Sequence, residues 1–185
     1  MVEKIRSGAA ARMQKSLEKF RGDLRGVRTG KAAPSILESV RVDYYDSVVP
    51  LAQIASISAP QPRLLVIQPW DKGAAEAIVK GIQNADLGLN PAQDGELIRV
   101  PIPALTEERR HELVRQCKRM SEEVKVSIRN IRRDANDELT KAEKAKEISE
   151  DDLHRGQKDV QKTTDEHIAE VDSALAEKEK EILEG

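Results

Sequence analysis

Apolar residues near the start of the chain recur every three or four positions, which is the spacing of one face of a helix. That stripe consists of Val2, Ile5, Ala9, Met13, Leu17, Phe20, Leu24 and Val27. The pattern predicts a long first helix. No proline falls within it, so nothing in the stretch breaks the helical backbone.

A second stripe follows a 3.5-residue repeat over several heptads and predicts a longer helix. It consists of Cys117, Met120 or Ser121, Val124, Ile128, Ile131, Ala135, Leu139 and Ala142. Thr106 and the acidic residues after it indicate where this helix begins. Ser149 followed by Asp152 is typical of a variant capping box and predicts a third helix. Its apolar positions are Leu153, Val160, Ile168, Val171, Leu175 and Ile182.

The middle of the chain has a different pattern, because all eight prolines lie between residues 31 and 104. That density excludes a long helix there. Short runs rich in β-branched residues predict strands at 39–45, 54–58, 64–67 and 97–100. A short helix is predicted between them, from a cap at Asp71 to Ile82, and Trp70 is expected in the core of this region.

The simplest arrangement of these elements is an α+β fold. An elongated antiparallel three-helix bundle, residues 1–30 and 105–185, carries a small α/β domain, residues 31–104, inserted after the first helix. Two connections then cross the boundary, at about residues 30 and 104. We expect a hinge there, with Gly30 absorbing the change in backbone dihedrals.

Composition supports long solvated helices, because 35% of residues are charged and only 2% are aromatic. The chain has no apolar run long enough to cross a membrane and no apolar centre of a signal peptide, so we expect a cytoplasmic protein. Cys117 is the single cysteine and has no neighbours at metal-ligand spacing, which argues against a disulfide and a metal site.

Catalytic motifs are absent, so the sequence predicts no enzyme, no catalytic residue and no cofactor. His111, His154 and His167 lie among charged residues in helical stretches, where solvated surface positions are expected.

The formal net charge of -2 is the average of opposed segments. Lys and Arg minus Asp and Glu gives +5 for residues 1–30, -2 for 31–104, +4 for 105–133 and -9 for 134–185. On a helical wheel, basic residues of the second long helix follow one flank of its apolar stripe. These are Arg115, Lys118, Lys125, Arg129, Arg132 and Arg133.

Antiparallel pairing of the first two long helices predicts further basic clusters. It would place Arg6 near Arg129, and place the first helix's other arginines near Arg109 and Arg110; those are Arg21, Arg25 and Arg28. Such a surface fits a polyanion, although a solvated face with i,i+4 ion pairs would look similar. From these residues alone, a coiled-coil scaffold that binds another helix remains the main alternative, and an enzyme is a distant third.

Six segments narrow these alternatives because together they resemble one family, the ribosome recycling factors. They are 28–34 (RTGKAAP), 86–91 (DLGLNP), 98–103 (IRVPIP), 105–110 (LTEERR), 129–137 (RNIRRDAND) and 146–152 (KEISEDD). The similarity spans essentially the whole chain in the right order. The resemblance implies an L-shaped molecule of transfer-RNA-like dimensions.

The resemblance also implies a function. A member binds the post-termination ribosome between its subunits, lays its bundle along large-subunit ribosomal RNA and, with elongation factor G and GTP, splits the ribosome for a new round of synthesis. We expect a monomer that binds no membrane. GTP hydrolysis is supplied by the partner.

Residue roles carried over from the family fall on a few positions of this chain. Arg28, Arg129 and Arg132 match positions that contact RNA, and Arg110 and Arg133 are counted with them as neighbours; Gly30 and Leu105 fall at the hinge. Two departures stand out. Lys31 occupies a usual arginine position, which keeps the charge but loses the guanidinium fork. Asp46 occupies a usual turn glycine.

Overall fold

A computed structural model describes residues 1–185 and contains four α-helices and six β-strands. The helices are α1 Val2–Gly26, α2 Ala75–Asn84, α3 Glu107–Lys144 and α4 Glu150–Glu184. The strands are β1 Arg41–Tyr44, β2 Ser47–Pro50, β3 Ala55–Gln61, β4 Leu64–Pro69, β5 Ala92–Asp94 and β6 Leu97–Pro101. The predicted α+β class, a helical bundle with a small sheet domain, is confirmed.

The chain divides into two compact units. The first unit joins Met1–Arg28 to Glu107–Glu184 and contains the three long helices; the second spans Thr29–Thr106. None of the four helices combines the length and the hydropathy that a membrane span requires.

In the first unit, α3 runs antiparallel to both α1 and α4, and the predicted apolar stripes form most of its core. The side chains of Met13, Leu17, Ile128, Leu139 and Val171 are fully buried. The α3 helix has 38 residues and is therefore about 57 Å long at roughly 1.5 Å per residue. The separation of two residues in the sequence of α3 therefore gives their distance along the helix axis.

The alignment of α1 with α3 differs from the predicted one. Ser16 Oγ and Ser127 Oγ lie 3.4 Å apart, which places these residues opposite each other. Because the helices are antiparallel, Arg6, ten residues before Ser16, lies opposite Asp137. The predicted neighbourhood of Arg6 and Arg129 is therefore wrong by about two helical turns.

The same alignment moves the other end of α1. Gly26, ten residues after Ser16, lies opposite Cys117, about two turns from Arg109 and Arg110. The apolar stripes predicted which faces of α1 and α3 meet, but not the axial offset between the two helices. The predicted position beside Arg109 and Arg110 is therefore wrong for Arg21 and Arg25, and Arg21 instead donates to Glu170 of α4 at 2.9 Å. Arg28 lies beyond the end of α1, and its position there stays a prediction.

The core of the bundle also contains polar side chains that bond within their own helices. Thr164 is fully buried and donates from Oγ1 to the Val160 carbonyl at 2.7 Å. His167 is 9% exposed, with Nδ1 2.8 Å from the Thr163 carbonyl. The expectation of a solvated His167 is therefore wrong, because its position in the apolar repeat buries it and the carbonyl satisfies one ring nitrogen.

A reciprocal capping box starts α4, as predicted. The Asp152 amide donates to Ser149 Oγ at 3.0 Å, and the Ser149 amide donates to Asp152 Oδ2 at 3.4 Å. The hydrogen bond from Ser149, with help from Arg155, lowers the pKa of the Asp152 carboxyl. This capping box determines where α4 begins.

The second unit contains two antiparallel sheets. One pairs β1 with β2, and the other has the order β3-β4-β6-β5. The β5 strand was not predicted because Ala92–Asp94 lacks β-branched and aromatic residues. The α2 helix packs closely on β1, where a Cβ on Gly81 would lie 2.7 Å from the Arg41 carbonyl oxygen.

Trp70 was expected in the core but is 68% exposed. Leu65, Ile67 and Pro69 of β4 are buried, so alternation along the strand turns the next residue outward. In the β1–β2 turn, Asp46 has a φ of +63°, a backbone conformation that glycine adopts without strain. The family's usual turn glycine is thus replaced at a position where glycine is favoured.

Candidate nucleic-acid interface

The basic flank predicted on α3 separates into two sets of side chains. Its lysines turn toward α4 and meet acidic partners there. Lys118 Nζ lies 3.8 Å from Glu179, and Lys125 Nζ lies 2.5 Å from Asp172. The hydrogen bond from Lys125 to Asp172 raises the pKa of the ammonium group. Lys125 is therefore held closely by α4, whereas the exposed Lys118 makes only a longer ionic contact there.

Two of the predicted arginines also turn toward α4. Arg132 donates to Gln161 Oε1 at 3.2 Å, and Arg110 donates to the Leu183 carbonyl at 3.1 Å. Both side chains are half-buried, and the buried Nε of Arg110 has no hydrogen-bond partner. Neither partner is a carboxylate, so these two positive charges are not offset by a negative charge in their hydrogen bonds.

Four other arginines on the side of α3 opposite its apolar stripe form no hydrogen bond or ion pair. We call this set the outer arginine face; its members are Arg115, Arg119, Arg129 and Arg133. Arg115 and Arg133 are 18 residues apart, which is five full turns, so they share one direction around the helix. Arg119 and Arg129 lie roughly 40° to either side of that direction, at about 100° per residue.

Two acidic residues beside the outer arginine face interact with other cations. Glu112 accepts from Arg109 at 2.8 Å, and Glu122 lies 3.5 Å from Lys125 Nζ. Glu123 stands four residues after Arg119 but forms no ion pair with it. The outer arginines therefore keep donors free for an external anion.

The predicted RNA-contacting residues do not form one cluster. Arg129, Arg132 and Arg133 lie within about one turn of α3, whereas Arg110 lies 19 residues before Arg129, about 28 Å along the axis. Arg28 follows the end of α1, is exposed and has no partner. A ligand that contacted all five would have to be extended.

The predicted hinge residues approach each other inside the second unit. Gly30 has a φ of +79°, and a Cβ built on it would lie 3.2 Å from Leu105 Cγ. Lys31 beside it is exposed. The structure therefore requires glycine at position 30 for two reasons, its backbone conformation and its small size.

Arg119 was not recognised in the sequence as part of the basic flank. Its spacing of four residues from Arg115 was the available clue, but it lies on the outer edge of the wheel, far from the apolar stripe. Which cations would be paired with α4 could not be read from the sequence, because those pairs depend on the axial offset of two helices.

The arrangement suits electrostatic binding to phosphates rather than catalysis. Guanidinium groups can contact phosphate oxygens in a bidentate manner without reading base sequence. No group of three or more His, Cys, Asp or Glu side chains could hold a metal ion. Burial raises the pKa of the Cys117 thiol, which makes it a poor nucleophile.

Comparison with known proteins finds close similarity over the full chain. The family model described as "Ribosome recycling factor" matches residues 20–183. The ribosome-recycling factor of Geobacillus sp. (strain WCH70) is 54% identical over 184 residues, covering 100% of both chains.

Solved structures agree with this similarity. The solution structure of a ribosome recycling factor aligns with a TM-score of 0.74 and 41% identity, covering 100% of this chain and 98% of that one. The T. thermophilus ribosome recycling factor, described with E. coli elongation factor G bound to the E. coli post-termination complex, aligns with a TM-score of 0.62 and 47% identity, covering 99% of each chain.

Proposed function

The chain belongs to the ribosome recycling factor family, and from this membership we propose that it binds the post-termination ribosome and, with elongation factor G and GTP, splits it into subunits. The released subunits then enter a new round of protein synthesis. The protein acts as a monomer in the cytoplasm, where translation takes place. It uses no metal or cofactor, and GTP hydrolysis belongs to the partner.

The observation that carries this proposal is the unpaired outer arginine face of α3. Arg129 and Arg133 lie about one turn apart on α3, and neither side chain forms a hydrogen bond or an ion pair, although Asp137 stands four residues after Arg133. Several such contacts give affinity for folded RNA without base recognition. Arg132, which donates to Gln161 Oε1, lies on the same turn of α3 and adds a third positive charge there. The bundle therefore docks on large-subunit ribosomal RNA, with Arg28 and Arg110 as additional contacts.

The small unit transmits the action of elongation factor G. Gly30 and Leu105 lie on the two connections between residues 31–104 and the bundle, where dihedral changes let the small unit swing. A rigid bundle fixed on RNA then converts that swing into separation of the subunits. No bond in the factor needs to form or break.

Sedimentation of post-termination ribosomes tests the proposal. Ribosomes are incubated with the protein, elongation factor G and GTP, and conversion to subunits is measured on sucrose gradients. We expect conversion by the wild type and a large loss in Arg129→Gln/Arg133→Gln. The matched control is Lys158→Gln/Lys162→Gln, which removes two exposed α4 charges with the same spacing.

Raised salt should weaken ribosome binding by the wild type, because phosphate contacts release counterions. Full splitting by the Arg129→Gln/Arg133→Gln variant would refute the assigned interface. No ribosome binding by the wild type at low salt would refute the function itself and favour a helical scaffold.

A further inference from the structure

The outer arginine face extends well beyond the positions that the family resemblance assigns. Arg115 and Arg119 form one pair with i,i+4 spacing, and Arg129 and Arg133 form another. The midpoints of the pairs are 14 residues apart, which is about 21 Å along α3 at 1.5 Å per residue. The two pairs face the same side of the helix.

We propose that Arg115 and Arg119 form a second phosphate-binding pair, so that α3 contacts RNA backbone at two places about 21 Å apart. This inference rests on the proposed function, because the ligand is the same ribosomal RNA. It adds a contact about four turns nearer the start of α3.

Three observations of the structure support this second pair. Both side chains are exposed, and neither forms a hydrogen bond or ion pair. Glu112, three residues before Arg115, is engaged by Arg109. Lys118, which lies between them in sequence, turns away toward Glu179.

The surface between the two pairs is mixed and not uniformly basic. Val126 is 51% exposed there and brings no charge. Two exposed carboxylates also lie in this stretch: Glu122, 3.5 Å from Lys125 Nζ, and Glu123, which forms no ion pair. The like charges within each pair repel one another in the free protein, and a phosphate between them relieves that repulsion.

Salt-dependent binding to purified large ribosomal subunits tests the proposal. The variant is Arg115→Gln/Arg119→Gln, which removes the two positive charges and keeps a similar helix propensity. We expect the slope of log K against log salt to fall by about 1.5, since each lost phosphate contact contributes roughly 0.7–0.9. At 0.1 M salt that slope change corresponds to about 30-fold weaker binding.

The control is again Lys158→Gln/Lys162→Gln, which lowers net charge equally on α4. It should bind with the wild-type affinity and slope. An equal loss in the control would mean that net charge alone is responsible and would overturn the second site.

Two other outcomes separate this inference from the proposed function. If the wild type binds and Arg115→Gln/Arg119→Gln keeps its slope, the second pair is refuted while the function stands. If the wild type fails to bind subunits at low salt, the proposed function fails. Circular dichroism of each variant checks that the bundle is folded.

Discussion

The close approach of Gly30 to Leu105 predicts that Gly30→Ala destabilises the small unit. An L residue at a φ of +79° costs about 1–2 kcal/mol. The new methyl would also lie 3.2 Å from Leu105 Cγ, inside the roughly 3.5–4.0 Å of an ordinary carbon contact. Because Leu105 is half-buried and can yield in part, this crowding adds about 1 kcal/mol. The expected total loss of unfolding free energy is about 2–3 kcal/mol.

Urea unfolding measures this loss, with two probes that report on different units. Trp70 is the only tryptophan and lies in the small unit, whereas far-UV circular dichroism is dominated by the long bundle helices. The Gly30→Ala transition should move to lower urea in the fluorescence signal. Gly26→Ala is the control, because a Cβ at Gly26 meets no atom within 4 Å.

A double-mutant cycle separates the two causes. Leu105→Ala removes the crowding atom, so Gly30→Ala should cost about 1 kcal/mol less in that background. An equal cost in both backgrounds would show that Leu105 does not crowd position 30. No cost in either would show that the backbone at Gly30 is not left-handed.

Three further changes test other parts of the structure. Ser149→Ala should destabilise the bundle by about 1 kcal/mol through loss of the cap, measured by urea unfolding; an unchanged midpoint would contradict the capping box. Asp46→Gly should stabilise the small unit by about 0.5–1 kcal/mol by relieving a positive φ, and a lower melting temperature would argue against that strain. Since Asp172 raises the pKa of Lys125, the stability difference between wild type and Asp172→Asn should hold at neutral pH and shrink above about pH 10.4; a constant difference at pH 11 would refute the pair.

The sequence predicted the parts of the fold that depend on local pattern. The stripe through Met13 and Leu17 predicted the buried face of α1, and Ser149 with Asp152 predicted the start of α4. These features succeed because helix periodicity and capping need only nearby residues. Trp70 was wrongly predicted to be buried, because its aromatic side chain was given more weight than the alternation of side chains along β4.

Features that depend on contacts between distant segments could not be predicted. The offset between Ser16 and Ser127 is set by packing along two long helices, and sequence periodicity repeats equally well at every turn. For the same reason, the sequence does not show which basic residues of α3 form ion pairs with α4. Lys125 and Arg129 look alike in the sequence, yet one is held by Asp172 and the other has no partner.

The burial of Cys117 has a practical consequence for measuring motion. Its side chain is inaccessible and its thiol has a raised pKa, so thiol-reactive probes should leave it unlabelled in the folded protein. Single cysteines introduced at exposed positions, one in each unit, can therefore carry fluorophores without first removing the native one. Energy transfer between such labels would test whether the small unit swings as proposed, in a protein whose core is otherwise unaltered.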